Sequence, residues 1–580
     1  MSKTTWNLDD LFKDEASAKE ALEEARKRAQ RFESLVKGNL KNSSETDFIE
    51  SMRAYESIME SLGRIMTYAY LRFATDASQG GLLARFQQAT NDIYESLLFF
   101  ELEFNRLPKA YQANLIQASG TYCYYLESLL KAKPYQLSHK EERILLKKSI
   151  TSGSAFSRLF DEHFSRIQFT MDGKKHSEEV ILSFLHNPDR EVRKKAAKSL
   201  TRGLKPHQPL LGYIFNQIKQ DLSIENALRG YKSPEASRHL ENKITQKSVD
   251  ALVETTQSHF DIVQDYYEFK RSFLGLETLY DYDRYAPLSE HEEDYTYEEA
   301  CDIVLKAFYN FSPLFGDIAK KAINEGWIDV YPKEGKRSGA FSHPATPGVH
   351  PYVLLNFTNK RRDVFTLAHE LGHAIHQYLA QDVGYLLADT PLTTAETASV
   401  FAEMLVFDAM LSSVTPESKT AMLAGKIEDI FATLYRQINF TTFERRVHAH
   451  EGELSLDTFN RFWLEENKKL FGKSVKLGND YKLWWSYIPH FIHSPFYCYA
   501  YSYGQLLVLA LYGLYQKGTC KDFVSLYQEF LRAGGSKSPK DLVGLFGFDI
   551  EDNKFWEIGI AEVRRLVKAL EGVNDATKLS

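Results

Sequence analysis

Apolar residues along this chain recur mostly at three- and four-residue intervals, the period of helices packed by one face. The stretch SEEVILSFLHNPDREVRKKAAKSLTRGL, residues 177–204, shows the pattern, with HNPD as the stop and restart between two helices. Two-residue alternation is sparse. RIQFTMDGKKHS carries Asp172-Gly173, a two-residue hairpin signature. Residues 329–357, DVYPKEGKRSGAFSHPATPGVHPYVLLNF, mix Gly and Pro loops with two short apolar segments, Gly339 to Phe341 and Tyr352 to Phe357. These predict a small sheet immediately before a helix rich in histidine. The chain is therefore expected to be mainly α, without internal repeats.

Composition adds bounds. The 580 residues are 43% hydrophobic and 26% charged, as in a soluble globular protein with a sizeable core. A net charge of -7 with no basic half argues against nucleic acid as a partner. The basic run Arg190 to Lys198 reads as the solvated face of a helix. There is no apolar stretch long enough to span a membrane, and the N-terminal residues do not read as a secretory signal. The four cysteines form no CxxC pair, which fits reduced thiols and a cytoplasmic setting. The 33 Tyr and 38 Phe suit large cores or an extended binding channel. A soft boundary near residue 200 separates an N-terminal helical domain, 1–200, from a domain, 201–580, that holds the chemistry.

That chemistry centres on AHELGHAIHQ, residues 368–377. A helix from about Asp363, taken as the N-cap, to Ala380 gives one apolar stripe of Val364, Leu367, Ala368, Leu371, Ile375, Tyr378 and Leu379. His369, His373 and His376 fall roughly opposite it. His369 and His373 are four residues apart, so their rings are neighbours and can share one tetrahedral ion. His376 lies roughly 10 Å along the axis from His369, too far to join them, and reads as a packing or supporting histidine. Glu370 completes His-Glu-x-x-His, where it can reach a water on the ion without ligating the metal itself. Gly372 costs a helix interior about 1 kcal/mol relative to alanine, which implies a close approach at that point.

A catalytic zinc needs a third protein ligand. The arrangement HExxHxxGxxH is excluded, because it needs glycine at His376 and histidine at Leu379. Downstream, PLTTAETASVFAEMLVFDAML offers Glu396 and Glu403, roughly 10 Å apart along a helix, so one at most reaches the ion. Thr393-x-x-Glu396 is also a good capping box. The residues alone leave ligand and cap open for Glu396. Glu403 is better placed to accept an N–H from a ligand histidine.

TLAHELGHAIHQ followed by ETASVFAE resembles the M3 family of zinc metallopeptidases, in its oligoendopeptidase F branch. TTWNLDDLF, PDREVRKKAAKSL, HPYVLLNFTNKRRDVFTLAHELGHAIH and IPHFIHSPFYCYAYSYGQLL are similar to that branch as well. The resemblance implies one Zn2+ per chain held by His369, His373 and Glu396, with Glu370 as the catalytic carboxylate that activates a zinc-bound water. It implies a large, mainly helical, two-lobed fold around a deep channel, with a zincin-like core and a small sheet beside the HExxH helix. Its substrates would be short oligopeptides cut at internal bonds. In HFIHSPFYCYAYSYG, it implies that a histidine and spaced tyrosines donate to the carbonyl under attack: His490, Tyr497 and Tyr501, with His493 beside them. An alternating aromatic run is equally a mark of core or strand. Tyr352 to Phe357 is expected to edge the cleft and pair with substrate main chain. Two other readings start from the same residues: a hydrolase of some non-peptide amide, and a helical binding protein with a vestigial site.

Overall fold

The computed structural model describes residues 4–288 and 293–579. It is mainly α, with two small sheets. The chain's packing divides it into two compact units. Residues 1–133, 292–413 and 518–547 form the first, and residues 134–291, 414–517 and 548–580 form the second. Residue 200 lies inside the second unit, within the helix Arg190–Leu204, so packing divides the chain at points other than the boundary read from the sequence. Among the described residues no helix is long and apolar enough to cross a membrane. The four cysteines are unpaired.

The hairpin forms as expected, strand β1 (Phe169–Met171) pairing antiparallel with β2 (Lys174–His176). Asp172 and Gly173 turn between them at φ 49° and 78°, the two left-handed positions that a tight hairpin turn demands. The helices on either side of HNPD are Glu178–Phe184 and Arg190–Leu204. The basic run is only partly a solvated face. Arg193 is 3% exposed and donates to Asp283 Oδ1 at 3.1 Å, while Arg190 grips the same buried carboxylate through Nε and Nη2. Long-range pairing with a residue 90 positions away is invisible to local charge pattern.

In the first unit a core of Leu22, Phe48, Met52, Leu62, Phe100 and Phe104 binds the N-terminal helices together, and Tyr352 packs into it. Strands β3 (Ile328–Asp329), β4 (Phe341–His343) and β5 (Tyr352–Leu354) form the second sheet in the order β3-β5-β4. The sheet lies against the histidine helix, as expected. Its topology corrects one expectation, because β5 is the middle strand, parallel to β3 and antiparallel to β4, with both edges taken. The edge is β4.

The aromatic residues of the second unit supply core. Phe215 stacks on Phe491 at 5.6 Å and on Phe459 at 5.2 Å, with Trp485 beside them. Glu444 is buried in this unit, 1% exposed, and Oε1 accepts the backbone N–H of Phe496 at 2.8 Å. Phe496 is held at φ 59°, so this bond anchors an unfavourable backbone turn. Glu444 Oε2 has no hydrogen-bond partner among the described residues, and burial holds the carboxyl well above its ordinary value of 4.5. A carboxyl whose folded value is raised stabilises fully below the unfolded value and progressively less as pH rises. Glu444→Gln, which keeps the acceptor and removes the titration, is therefore expected to leave Tm unchanged below about pH 4.5. Its Tm advantage over the parent should grow as pH rises above that point, read by thermal melts across a pH series.

Candidate active site

The histidine helix runs from Arg361 to Leu379. Asp363 is not its N-cap but its third residue, where Oδ2 accepts the backbone N–H groups of Thr358 at 2.7 Å and Lys360 at 3.0 Å. The N-cap, Lys360, therefore lies three residues earlier than expected, with a carboxylate reaching back to it from inside the helix. Of the predicted stripe, Val364, Leu367, Ala368, Leu371, Ile375 and Leu379 are buried, with Tyr378 at its margin.

His369 Nε2 and His373 Nε2 lie 3.2 Å apart, and each is 3.4 Å from Glu396 Oε2. Four-coordinate zinc with bonds of about 2.0–2.1 Å places its ligand atoms about 3.3 Å apart, so this triangle fits such an ion. The three residues form a group able to hold a metal. Glu396 sits at the junction between the short helix Leu392–Ala395 and the helix Thr397–Leu411. Its Oε2 accepts from Ser399 Oγ at 2.8 Å. The capping box is not formed: Pro391 occupies the N-cap, leaving the Glu396 carboxylate to face the histidines. Glu403 Oε1 lies 2.5 Å from His369 Nδ1, which donates to it, so in the neutral ring the lone pair is on Nε2, toward His373 and Glu396.

Gly372 explains how the two helices come close enough. A β-carbon there would lie 2.6 Å from the Ala398 carbonyl oxygen and 2.7 Å from Ser399 Cα. The approach inferred from its presence in a helix is thus the crossing that carries Glu396 to the histidines.

Charge is concentrated and dehydrated here. Burial acts to raise the Glu396 carboxyl, but His373, then His369 and Ser399, hold it down at about 2. Burial likewise acts to lower His369, and the Glu403 carboxylate, with Glu396 and Glu370, lifts it to about 9. Glu370 is 6% exposed and makes no hydrogen bond or ion pair with any described residue. Burial raises its carboxyl despite the opposing histidines. His376, 4% exposed, stays out of the triangle, and burial pushes it down to about 3.

His369, Glu370, His373, His376 and Glu396 line a cavity of about 840 Å³ within the first unit. Its walls include residues the sequence reading passed over: Tyr70, Tyr94, Ser342, His343, Gln377 and Tyr385. The only local hint was the loop-rich GAFSHP. Gln377 ties the histidine helix to β4, with Ser342 Oγ donating to its Oε1 at 2.7 Å and its Nε2 donating to the Ser342 carbonyl at 3.2 Å.

The tyrosine-rich segment belongs to the second unit and is a helix, Cys498–Lys517, rather than a strand. Residues two apart therefore fall on opposite faces. Tyr499 and Tyr503 are buried, whereas Tyr497 and Tyr501 are partly exposed and share a face, their rings 5.0 Å apart. His490 joins them, Nε2 to Tyr501 Oη at 3.4 Å. His493 does not, because its Nε2 pairs with Asp161 at 2.9 Å.

Comparison with known proteins agrees with this architecture. The family model described as Peptidase family M3 matches residues 183–562, and one described as Oligopeptidase F matches residues 103–169. Oligopeptidase PepF of Bacillus subtilis is 30% identical over 575 residues, covering 95% of this chain and 84% of that protein. An oligoendopeptidase F homolog of Borreliella burgdorferi is 30% identical over 533 residues, 87% of each. A crystal structure from Chlamydophila abortus shares the fold at a TM-score of 0.88, with 23% identity over 98% of each chain. The oligoendopeptidase-F structure from Enterococcus faecium does so at 0.70, with 20% identity over 96% of this chain and 98% of that one. The chain belongs to peptidase family M3, and so to the metallopeptidases. Within that family it groups with the oligopeptidase F branch.

Because the atoms facing Gly372 are backbone, a methyl group there cannot be absorbed by a side-chain rotation. Gly372→Ala is expected to cost about 1–3 kcal/mol of stability and to weaken metal binding by spreading Glu396 from the histidines. Urea denaturation and competition against a chelator measure the two effects.

Proposed function

We propose that this protein is a zinc-dependent endopeptidase of short oligopeptides, with His369, His373 and Glu396 holding the zinc and Glu370 moving the proton. The observation that carries the reading is Glu370 itself. A buried carboxyl with no protein partner is costly. Here it flanks two histidines whose Nε2 atoms form, with Glu396, the triangle described above. Zinc at that triangle would polarise the scissile carbonyl and acidify a water beside Glu370.

Glu370 accepts the water's proton as the oxygen attacks and passes it to the leaving amine. Its raised affinity for a proton, caused by burial, suits a base that must also act as an acid in the same cycle. Glu403 fixes the His369 tautomer and compensates the charge on that ring. His490, Tyr497 and Tyr501 donate to the carbonyl oxygen as negative charge builds on it, and His493 keeps its surface ion pair with Asp161. The peptide adds to the β4 edge, whose residues from Ala340 to Ala345 line the cavity. Main-chain pairing of this kind binds many sequences with little side-chain preference.

Purified protein is expected to carry one zinc per chain in both the parent and Glu370→Gln. Cleavage of a mixed library of short peptides should fall by about 100-fold to 10,000-fold in the variant. Metal in both proteins with cleavage in neither would shift the reading to another amide substrate. Absence of metal binding would end it. Tyr501→Phe is expected to lower kcat by about 100-fold to 1000-fold with metal content unchanged. A change confined to KM would remove Tyr501 from the oxyanion role.

A further inference from the structure

We infer that His343 is a peptide-binding residue, presenting its Nε2–H to the cavity so that it donates a hydrogen bond to a carbonyl oxygen of the bound substrate. The inference rests on the peptidase reading above and adds a contact that the zinc ligands and Glu370 do not provide.

His343 is the last residue of β4, the edge strand, and lines the same cavity as His369, Glu370, His373 and Glu396. Its Nδ1 lies 3.1 Å from the backbone nitrogen of Ala345, which donates to it. A backbone N–H can only donate, so Nδ1 carries the lone pair and the proton of the neutral ring sits on Nε2. Ala345 is held at φ 58°, a left-handed conformation that alanine seldom adopts, so the bond belongs to a specific turn. That turn sets the tautomer.

Nε2 finds no partner among the described residues. The ring is nevertheless fixed. Tyr70 packs against it with centroids 5.5 Å apart and against Phe341, its neighbour on the same face of β4, at the same distance. Tyr70 Oη in turn accepts from Arg337 Nη1 at 2.6 Å. The surrounding protein desolvates His343 and pushes it down to about 4, so the ring remains a neutral donor at physiological pH rather than an acid or base in the reaction. A positioned donor without a protein acceptor is completed by an acceptor on a ligand. The cavity lining contains no lysine or arginine among the described residues. The acceptor is accordingly a neutral carbonyl and not the substrate's terminal carboxylate, which agrees with cleavage at internal bonds.

Two substitutions separate this role from a structural one. In His343→Asn the side-chain oxygen can still accept the Ala345 N–H, as asparagine does in Asx turns, but the donor no longer reaches the former Nε2 position. His343→Gln has the opposite character, restoring an N–H near Nε2 while losing the short-range acceptor. Binding of a peptide mixture is measured by calorimetry on zinc-loaded Glu370→Gln protein bearing each substitution, and KM and kcat are measured with Glu370 intact. His343→Asn is expected to weaken binding and raise KM roughly tenfold, with kcat within about twofold of the parent. His343→Gln should recover most of that loss. The reverse order, Asn equal to the parent and Gln impaired, would make His343 a turn anchor and overturn the inference, as would three equal affinities. If the unsubstituted protein neither binds nor cleaves peptides, the peptidase reading falls and this inference with it.

Discussion

The geometry of the candidate metal site depends on one steric fact, the absence of a side chain at Gly372. Two helices normally keep their axes about 8–10 Å apart because side chains fill the space between them. At Gly372 the histidine helix meets the backbone of Ala398 and Ser399 directly. Glu396 lies two residues before that contact and Glu403 beyond it, so a single crossing places both carboxylates on the two nitrogens of His369. Nε2 faces Glu396 and Nδ1 faces Glu403. One imidazole is thereby oriented from both sides, which is how a ligand is held ready before the ion arrives.

Assembling three carboxyl and two imidazole groups in this space runs against the cost of burying charge. The structure offsets the cost unequally. Glu396 is compensated by His373 and then by His369, and His369 chiefly by Glu403, so the proton affinities of Glu396 and His369 move in opposite directions, to about 2 and about 9. Glu370 is left without a hydrogen-bond or ion-pair partner among the described residues. In a site that is otherwise paired, this is the group proposed above to exchange a proton. Its neighbour His376 shows the contrast, since a histidine seven residues from His369 in the same helix is buried and pushed down to about 3. Position along one helix thus separates the histidines of the triangle, the unpaired carboxyl and the packing histidine.

The sheet beside the helix shows how strand order decides use. The apolar segment Tyr352–Leu354 is buried on both sides because β3 and β4 flank it. Its more polar neighbour β4, Phe-Ser-His, is left at the edge and borders the cavity. Short apolar runs between Gly and Pro loops point to strands here, but they carry no information about which strand is central. Parallel pairing with the two-residue β3, which has no signal of its own, is what moves Tyr352–Leu354 inward.

Local chemistry in the chain was enough for several features. The 3.6-residue period marks the mainly helical fold, the i, i+4 spacing of His369 and His373 makes a two-histidine face, and Asp172-Gly173 demands its turn. Even the close approach at Gly372 was legible, because a glycine inside a strong helical pattern needs a steric reason. These depend only on neighbours a few residues apart. Contacts across the fold were decided otherwise. Glu396 was balanced between cap and ligand until Pro391 took the cap and the helix crossing turned its carboxylate toward the histidines. Arg193 read as surface until Asp283 met it from 90 positions away. His343 had no signal at all, since the role inferred for it follows from a tautomer set by Ala345, a wall supplied by Tyr70 and a strand order that leaves β4 at an edge. The sequence by itself determined which groups could do chemistry. Only the tertiary structure decided which of them meet, because distances between residues remote in the chain are set by packing and not by spacing.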